Sequence, residues 1–248
     1  MFLELESADD FRKCIDGIAA LVTEAEFVVG KESMTLKATD PSNISMVDFE
    51  LPAKAFRSYD VDEPVKLGVD LDYLNQVMKR SKSNDRLSLS LSEDRSSLVV
   101  EFKGKSERKF QIPLIDISGN EIPPLKIEFD AIISLNAEIL QDGLKDAVLF
   151  SSHVILSANE KEFSIKANSS KGTLNSVTKK TDAAIKSLDL KEDAEAMYPL
   201  DYLQDMLKTA SSDTAVEIKL KNDAPLFVSF KIGEATISYF LAPRMEPK

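Results

Sequence analysis

The sequence predicts an α+β protein in which a single unit is written twice. Three observations carry this. Matching residues recur at one constant spacing, apolar residues at helical spacing mark two helices in each copy, and apolar or alternating runs fill the intervals with strands. Leu71-Asp72-Tyr73-Leu74 recurs as Leu200-Asp201-Tyr202-Leu203. The same spacing, without gaps, pairs Ala8 with Ala137, Lys37-Ala38 with Lys166-Ala167, Ala55 with Ala184, Lys79 with Lys208, Leu91 with Leu220 and Gly104 with Gly233. Matches spread that widely at one spacing are not a chance tetrapeptide. The expected domains are residues 1–115 and 128–248, joined by a connector at 116–127.

In each copy a short strand comes first, at residues 2–6 and 127–135. A helix follows, with Phe11, Ile15, Ile18 and Val22 at helical spacing in the first copy and Ile139, Leu140, Leu144, Ala147 and Val148 in the second. Ser7 and Asn136 stand where helix N-caps belong. Strands are expected at 26–29, 34–39 and 45–51, mirrored at 154–158, 162–167 and 173–181. The repeated tetrapeptide then opens a second helix with the stripe Leu71, Leu74, Val77 and Met78, mirrored by Leu200, Leu203, Met206 and Leu207. Leu87-Ser88-Leu89-Ser90-Leu91 alternates as a strand with one dry and one wet face. Strands at 98–102 and 107–112, with 216–220, 226–232 and 236–241 in the second copy, close each unit. Two helices against antiparallel strands make each unit α+β. The connector carries Ile115, Ile117, Ile122 and Leu125, too apolar for a plain linker, while Gly119 and the pair Pro123-Pro124 disfavour regular structure. An extended strap lying on the surface fits best.

Composition narrows the function. One cysteine, Cys14, excludes an internal disulfide and a cysteine-built zinc site, and one histidine, His153, excludes a histidine cluster. No nucleophile–base pair or phosphate-cradling glycine loop stands out, so no enzyme and no cofactor are expected. Cys14 fits a small buried helix residue, His153 a surface or capping role beside Ser151-Ser152, and Asp40 the start of a turn before Pro41. The opening segment lacks the basic and apolar regions of a signal peptide, and no apolar run approaches the ~18–20 residues that span a membrane. An intracellular, soluble protein, cytoplasmic or nuclear by source, is expected.

The 31 Lys+Arg against 42 Asp+Glu give a net charge of −11, which argues against a protein that coats nucleic acid. Distribution can overrule the sum. The helix faces opposite the apolar stripes carry Asn75, Gln76, Lys79 and Lys82, then Gln204, Lys208 and Ser211, with Arg12, Lys13 and Lys145 on the first helices. These are either ordinary solvated faces or one surface tuned for phosphates at a distance. Polar rather than aromatic neighbours indicate neither base stacking nor groove reading.

The two-copy architecture, the echo of residues 71–79, the turn Asp40-Pro41-Ser42-Asn43-Ile44, the connector start Leu114-Ile115-Asp116 and the ending Tyr239-Phe240-Leu241-Ala242-Pro243-Arg244 together resemble the proliferating cell nuclear antigen (PCNA) family, the sliding clamps of eukaryotic and archaeal replication. The resemblance covers the whole chain in order. It implies a ring of three two-domain subunits, with twelve helices lining the hole and antiparallel sheets outside. Twelve helices spaced at ~9 Å give a circle about 108 Å round, or about 34 Å across between axes. Removing a helix thickness of ~10 Å leaves roughly 24 Å, enough for a duplex. The negative sum then belongs to an exterior that repels DNA.

By the same resemblance, the positions facing double-stranded DNA are Arg12, Lys13, Lys79, Lys145 and Lys208, with Arg80 and Lys82 as additions. Asp142 stands where the family is often basic, which implies weaker attraction there. The implied partner pocket comprises Asn43, Ile44, Met46, Ile122, Pro123, Pro225, Phe240, Leu241, Ala242, Pro243 and Met245. It would take short peptides with a Gln, an aliphatic residue and two aromatics, carried by DNA polymerase, clamp loader, flap nuclease and DNA ligase. Ring closure would pair the strand of Glu107, Arg108, Lys109, Phe110 and Ile112 with the next subunit's strand of Leu174, Val177 and Lys179. Residues 105–109 and 171–182 each carry three positive charges and one negative. Either nearby acids such as Asp142 and Asp146 compensate for like-signed edges, or the neighbours are different subunits. The remaining alternatives are a member of a mixed ring or a damage-signalling clamp that serves as a docking scaffold.

Overall fold

Three of the helices open directly where a strand ends: Asp70, Asn136 and Pro199 are still extended, and the residue after each is helical. The computed structural model describes residues 1–117, 122 and 125–245. It has two compact units. The first gathers Met1–Asn43, Val47–Pro123 and Ile232–Ile237, and the second Ile44–Met46, Pro124–Lys231 and Ser238–Lys248.

In the first unit β1 (Phe2–Leu5) leads into α1 (Asp9–Ala19), followed by β2 (Glu24–Val29), β3 (Ser33–Thr39), β4 (Ser45–Pro52), β5 (Ser58–Asp60) and β6 (Val65–Asp70). Then come α2 (Leu71–Met78), β7 (Arg86–Leu91), β8 (Ser97–Lys103) and β9 (Glu107–Pro113). Strands run in the order β5-β1-β7-β8-β9 in one sheet, and β4-β3-β2-β6 are neighbours in another. The second unit repeats this with β10 (Ala131–Asn136), α3 (Ala137–Ala147), β11 (His153–Ala158), β12 (Glu162–Ser169), β13 (Gly172–Lys179), β14 (Ile185–Leu190), β15 (Ala194–Pro199), α4 (Leu200–Leu207), β16 (Ala215–Leu220), β17 (Leu226–Ile232) and β18 (Ala235–Leu241). Its strand orders are β14-β10-β16-β17-β18 and β13-β12-β11-β15. Shifting β2, β6, α2, β7 and β8 by the spacing that carries Leu71 onto Leu200 gives the bounds of β11, β15, α4, β16 and β17 without remainder.

The apolar stripes are buried as the periodicity requires. Leu71, Leu74, Val77 and Met78 are buried on α2, and Leu200, Leu203, Met206 and Leu207 on α4. Each contributes about 1.5–3 kcal/mol relative to exposure. Asp70 caps α2 by accepting the Tyr73 N–H at 2.8 Å, whereas Pro199 precedes α4 without a side-chain bond. On α3, Gly143 lets the helix press onto β12: a Cβ there would fall 2.4 Å from Ile165 Cδ1.

Several expectations are corrected. Strands β5, β6, β14 and β15 were not foreseen, because short alternating runs with charges inside, such as Val65-Lys66-Leu67-Gly68-Val69-Asp70, resemble loops until pairing partners are known. Ser88 is buried, so β7 has no wholly wet face. Val148 is 52% exposed instead of joining the α3 stripe, since the helix ends at Ala147 and the next side chain turns outward. Val22 lies past the end of α1, yet is buried. At α1, Ala8 is already in the αR region, and Ser7 Oγ accepts the Asp9 N–H at 3.2 Å. Asn136 holds the expected cap position on α3 but makes no cap bond. No helix among the described residues is long and apolar enough to cross a membrane.

Candidate functional site

Three kinds of side chain stand out, with members in each unit. The first is the polar surface of the helices. On α1, Arg12 lies 3.2 Å from Asp9 and Lys13 3.9 Å from Asp10, both one helical turn away. Asp16 on α1 receives the Lys79 ammonium at 2.9 Å and the Asn75 amide at 3.1 Å, which ties α1 to α2. Lys13, Lys79, Arg80 and Lys82 are exposed, and Arg12 is half-buried. The Arg80 carbonyl accepts from Arg108 Nη1 at 2.5 Å.

In the second unit Lys145 and Lys208 are exposed, but Glu138, Asp142, Asp146 and Asp201 are acids on the same two helices. Burial raises the Asp205 carboxyl above the usual range, with Lys208 opposing the shift and Asp201 adding to it. α1 carries three acids against two bases, so the basic excess of the first unit sits just past α2, at Lys79, Arg80 and Lys82, while α3 and α4 are net acidic. Gln141 of α3 donates its amide to the carbonyls of Leu207 at 3.1 Å and Ala210 at 2.9 Å.

The second group surrounds the ending of the chain and the turn before β4. Asp40 is buried and builds the turn: its carboxylate accepts the Ser42 N–H at 2.9 Å and its carbonyl the Asn43 N–H at 2.9 Å. Asn43 adopts φ 56°, a left-handed value that asparagine tolerates, and its side chain accepts from Thr39 Oγ1 at 3.1 Å. In the second unit the Ala242 N–H donates to the Ile44 carbonyl at 2.8 Å, and the Arg244 N–H to the Met197 carbonyl at 2.8 Å. The ending is thus tied down rather than frayed. Tyr198 Oη donates to the Ala224 carbonyl at 2.9 Å, fixing the residue before Pro225.

Ile44, Pro225, Phe240, Ala242 and Pro243 are half-buried, and Met245 is 62% exposed. Met46 and Leu241 are 5% and 1% exposed; both side chains belong to the core, Leu241 because strand alternation turns it opposite to Phe240. Asn43 and Ile122 lie in the first unit, where they line a groove of about 920 Å³ with Ile117, Lys37, Asp48 and Lys66. Ile117 and Ile122 are the connector residues in that groove, and Ile115 is tied down before them. The Ile115 N–H donates to the Gly68 carbonyl at 2.9 Å, and a Cβ on Gly68 would fall 2.1 Å from the Ile115 oxygen. Pro123 lies outside the described residues.

The third group is two sheet edges. β9 ends one sheet of the first unit and β13 ends one of the second. Glu107 and Lys109 are exposed, Phe110 is half-buried and Ile112 is buried. Arg108 folds back onto Asp85 and stacks over the Phe102 ring at 5.3 Å, so its charge is matched within its own unit. Along β13, Leu174 is half-buried, Val177 is 42% exposed and Lys179 is exposed. The sequence reading missed Val148 and Leu149, which are 52% and 70% exposed just after α3. Their signal was the triplet Val148-Leu149-Phe150, which continues apolar beyond the helical stripe.

Cys14 is fully buried, and burial pushes its thiol up to about 12. That thiol takes no part in these groups.

The comparisons with known proteins are consistent across the chain. The model of the PCNA N-terminal domain matches residues 1–121 and that of the C-terminal domain residues 122–245. A DNA polymerase sliding clamp of Thermofilum pendens is 36% identical over 241 residues, covering 96% of this chain and 97% of the relative. Among solved structures, A. fulgidus PCNA bound to the C-terminal region of FEN-1 matches with TM-score 0.90 and 28% identity, covering 100% of this chain and 99% of that one. A subunit of the PCNA2–PCNA3 complex from Sulfolobus tokodaii matches with TM-score 0.90 and 25% identity, covering 99% and 100%.

Proposed function

The chain belongs to the proliferating cell nuclear antigen family, and from that membership we infer that it is a DNA sliding clamp, a non-enzymatic ring around duplex DNA that tethers the replicative polymerase and other replication and repair enzymes. The observation that carries this is the tandem of both family domains over residues 1–245, with one unit repeated element for element. The domains are assigned to residues 1–115 and 128–248, with 116–127 as the connector. Arg12, Lys13, Lys79, Arg80, Lys82, Lys145 and Lys208 face DNA without reading its sequence. Their attraction is long-range, screened over ~8–10 Å and weakened by salt. Most of it comes from the segment just past α2, where Lys79, Arg80 and Lys82 lie.

Client peptides dock where Ile44, Pro225, Phe240, Ala242 and Pro243 remain accessible in the second unit. A FEN-1 segment bound to the A. fulgidus relative supports this class of partner. Subunits join through the edges β9 and β13, with the exposed Val148 and Leu149 after α3 as a further apolar surface. Archaeal relatives support a cytoplasmic location.

A mixed ring is the second reading. Even with Arg108 matched by Asp85, Lys105 and Lys109 outnumber Glu107 on one edge, and Lys171, Lys179 and Lys180 outnumber Asp182 on the other. Like-signed edges disfavour self-pairing. Light scattering decides between the readings. A homomeric ring has three times the 27.5 kDa of one chain, and a mixed ring reaches a trimer's mass only after sister subunits are added. A chain that stays monomeric with every related subunit, or a ring that leaves polymerase product length unchanged on primed circular DNA with its loader, would overturn the clamp reading.

A further inference from the structure

The only histidine of the chain sits against the ending that carries Ala242 and Pro243. Arg244 Nη1 lies 2.9 Å from His153 Nε2 and 3.3 Å from Nδ1. A guanidinium has donors and no acceptor, and it stays charged at every relevant pH. One of its nitrogens within reach of both ring nitrogens lies over the ring face, where a neutral imidazole tolerates a cation and an imidazolium repels it. Ser152 Oγ lies 3.0 Å from Nδ1. The Ser151 hydroxyl oxygen accepts the His153 N–H at 3.1 Å and fixes the start of β11. The ring is thus held by its serine neighbours, and the arginine is held by the ring.

We propose that His153 and Arg244 are positioning residues for the peptide-docking ending, forming a latch that holds only while the imidazole is neutral. The proposal rests on the docking reading given above. Two backbone bonds, Ala242 N–H to the Ile44 carbonyl and Arg244 N–H to the Met197 carbonyl, set the path of the ending. The side-chain latch adds a third tie, at Arg244, to those two bonds.

Protonation puts a positive charge on the ring against the fixed charge of the guanidinium, so the two cations repel. The charged groups that bear on the ring are Arg244 from the ending and Asp201 from the start of α4; β15 places Pro199 opposite His153 in register. Burial and then Arg244 hold the imidazole below its ordinary value of 6.5, while Asp201 pulls the other way. Because the neutral form is the one favoured when latched, the latch is at full strength above that ordinary value and weakens as pH falls below it.

The single histidine makes the test clean. Long-range 1H–15N spectra of the whole protein should show a titration midpoint below 6.5. Arg244→Gln should raise that midpoint; an unchanged midpoint would overturn the latch. A labelled peptide carrying a Gln, an aliphatic residue and two aromatics, but no titratable group between pH 5 and 8, reads the consequence by fluorescence anisotropy. Between pH 7.5 and 5.5 the wild type should lose about threefold to fivefold in affinity, the scale of one exposed charge-assisted bond. His153→Gln should lose none of it. Equal pH dependence in the two proteins would overturn the positioning role. If instead Ala242→Arg leaves peptide binding intact while the imidazole midpoint still responds to Arg244→Gln, the docking reading fails and with it the latch's role in docking.

Discussion

The ammonium of Lys79 and the carboxylate of Asp16 meet at 2.9 Å, joining the second helix of the first unit to the first. A side chain expected to face phosphate thus leans toward a carboxylate of its own unit, which dilutes its field. Asp16→Asn should strengthen DNA-dependent polymerase stimulation about twofold at moderate salt, the scale of one half-exposed pair. Lys79→Glu with Lys208→Glu should abolish the stimulation while the fold and ring mass are kept. Primer extension at two salt concentrations, with circular dichroism as the control, reads both outcomes.

Exposed apolar side chains, with the unpaired edges, should hold the ring together. Leu149→Asp puts a charge among the exposed apolar side chains that follow α3, Val148 and Leu149. Light scattering should then give the 27.5 kDa of a single chain in place of three times that mass. A ring of unchanged mass would move the contact elsewhere.

At the ending of the chain, Ala242→Arg should weaken labelled-peptide binding at least tenfold. An aromatic ring that buries about 150–250 Å² gains about 4–6 kcal/mol before ordering costs, and an unpaired guanidinium forfeits much of that. Undiminished binding by the folded variant would place docking elsewhere.

Asp70→Ala removes the cap of α2, whose carboxylate accepts the Tyr73 N–H at 2.8 Å. A loss of about 1 kcal/mol is expected in urea unfolding. Pro199→Ala, at the matching position before α4, should not show it, since no side-chain cap exists there to lose.

Cys14 carries the pH prediction. Its folded value of about 12 stands above the ordinary 9.0, so the neutral thiol is favoured in the fold. The sign follows: the contribution is complete below pH 9 and is lost as pH rises from there toward 12. Iodoacetamide at pH 8 should leave the folded protein unmodified and label it in denaturant. Labelling of the folded protein at the unfolded rate would contradict the burial.

Legibility in the sequence followed the strength of local periodicity. The stripe of Leu71, Leu74, Val77 and Met78 needs no tertiary knowledge, and both it and its echo were found with their faces correct. β5 and β14 were invisible because a strand as short as Ser58–Asp60 exists only through its pairing with β1. Asp16 as the partner of Lys79 could not be read either, since the two stand far apart along the chain and nothing local marks the pair. The polar residue Ser88 looked solvent-facing by alternation, but the sheet buries both faces there. Among the pocket residues, sequence named Leu241 and Ala242 alike. Only the pleat, which sends Leu241 inward, separates wall from core.

The helix ends hold one more consequence. A helix gathers partial negative charge at its last carbonyls, and such ends would push away a polyanion passing nearby. Here the carbonyl of Leu207, the last residue of α4, and that of Ala210 beyond it are taken up by the Gln141 amide, so the negative pole of α4 is partly covered from α3. Past the end of α2 the Arg80 carbonyl is taken up by the Arg108 guanidinium. Because Arg108 also lies on β9, at the edge of its sheet, one side chain serves both the turn after α2 and that edge. A substitution at that position would bare the Arg80 carbonyl as well as alter the edge.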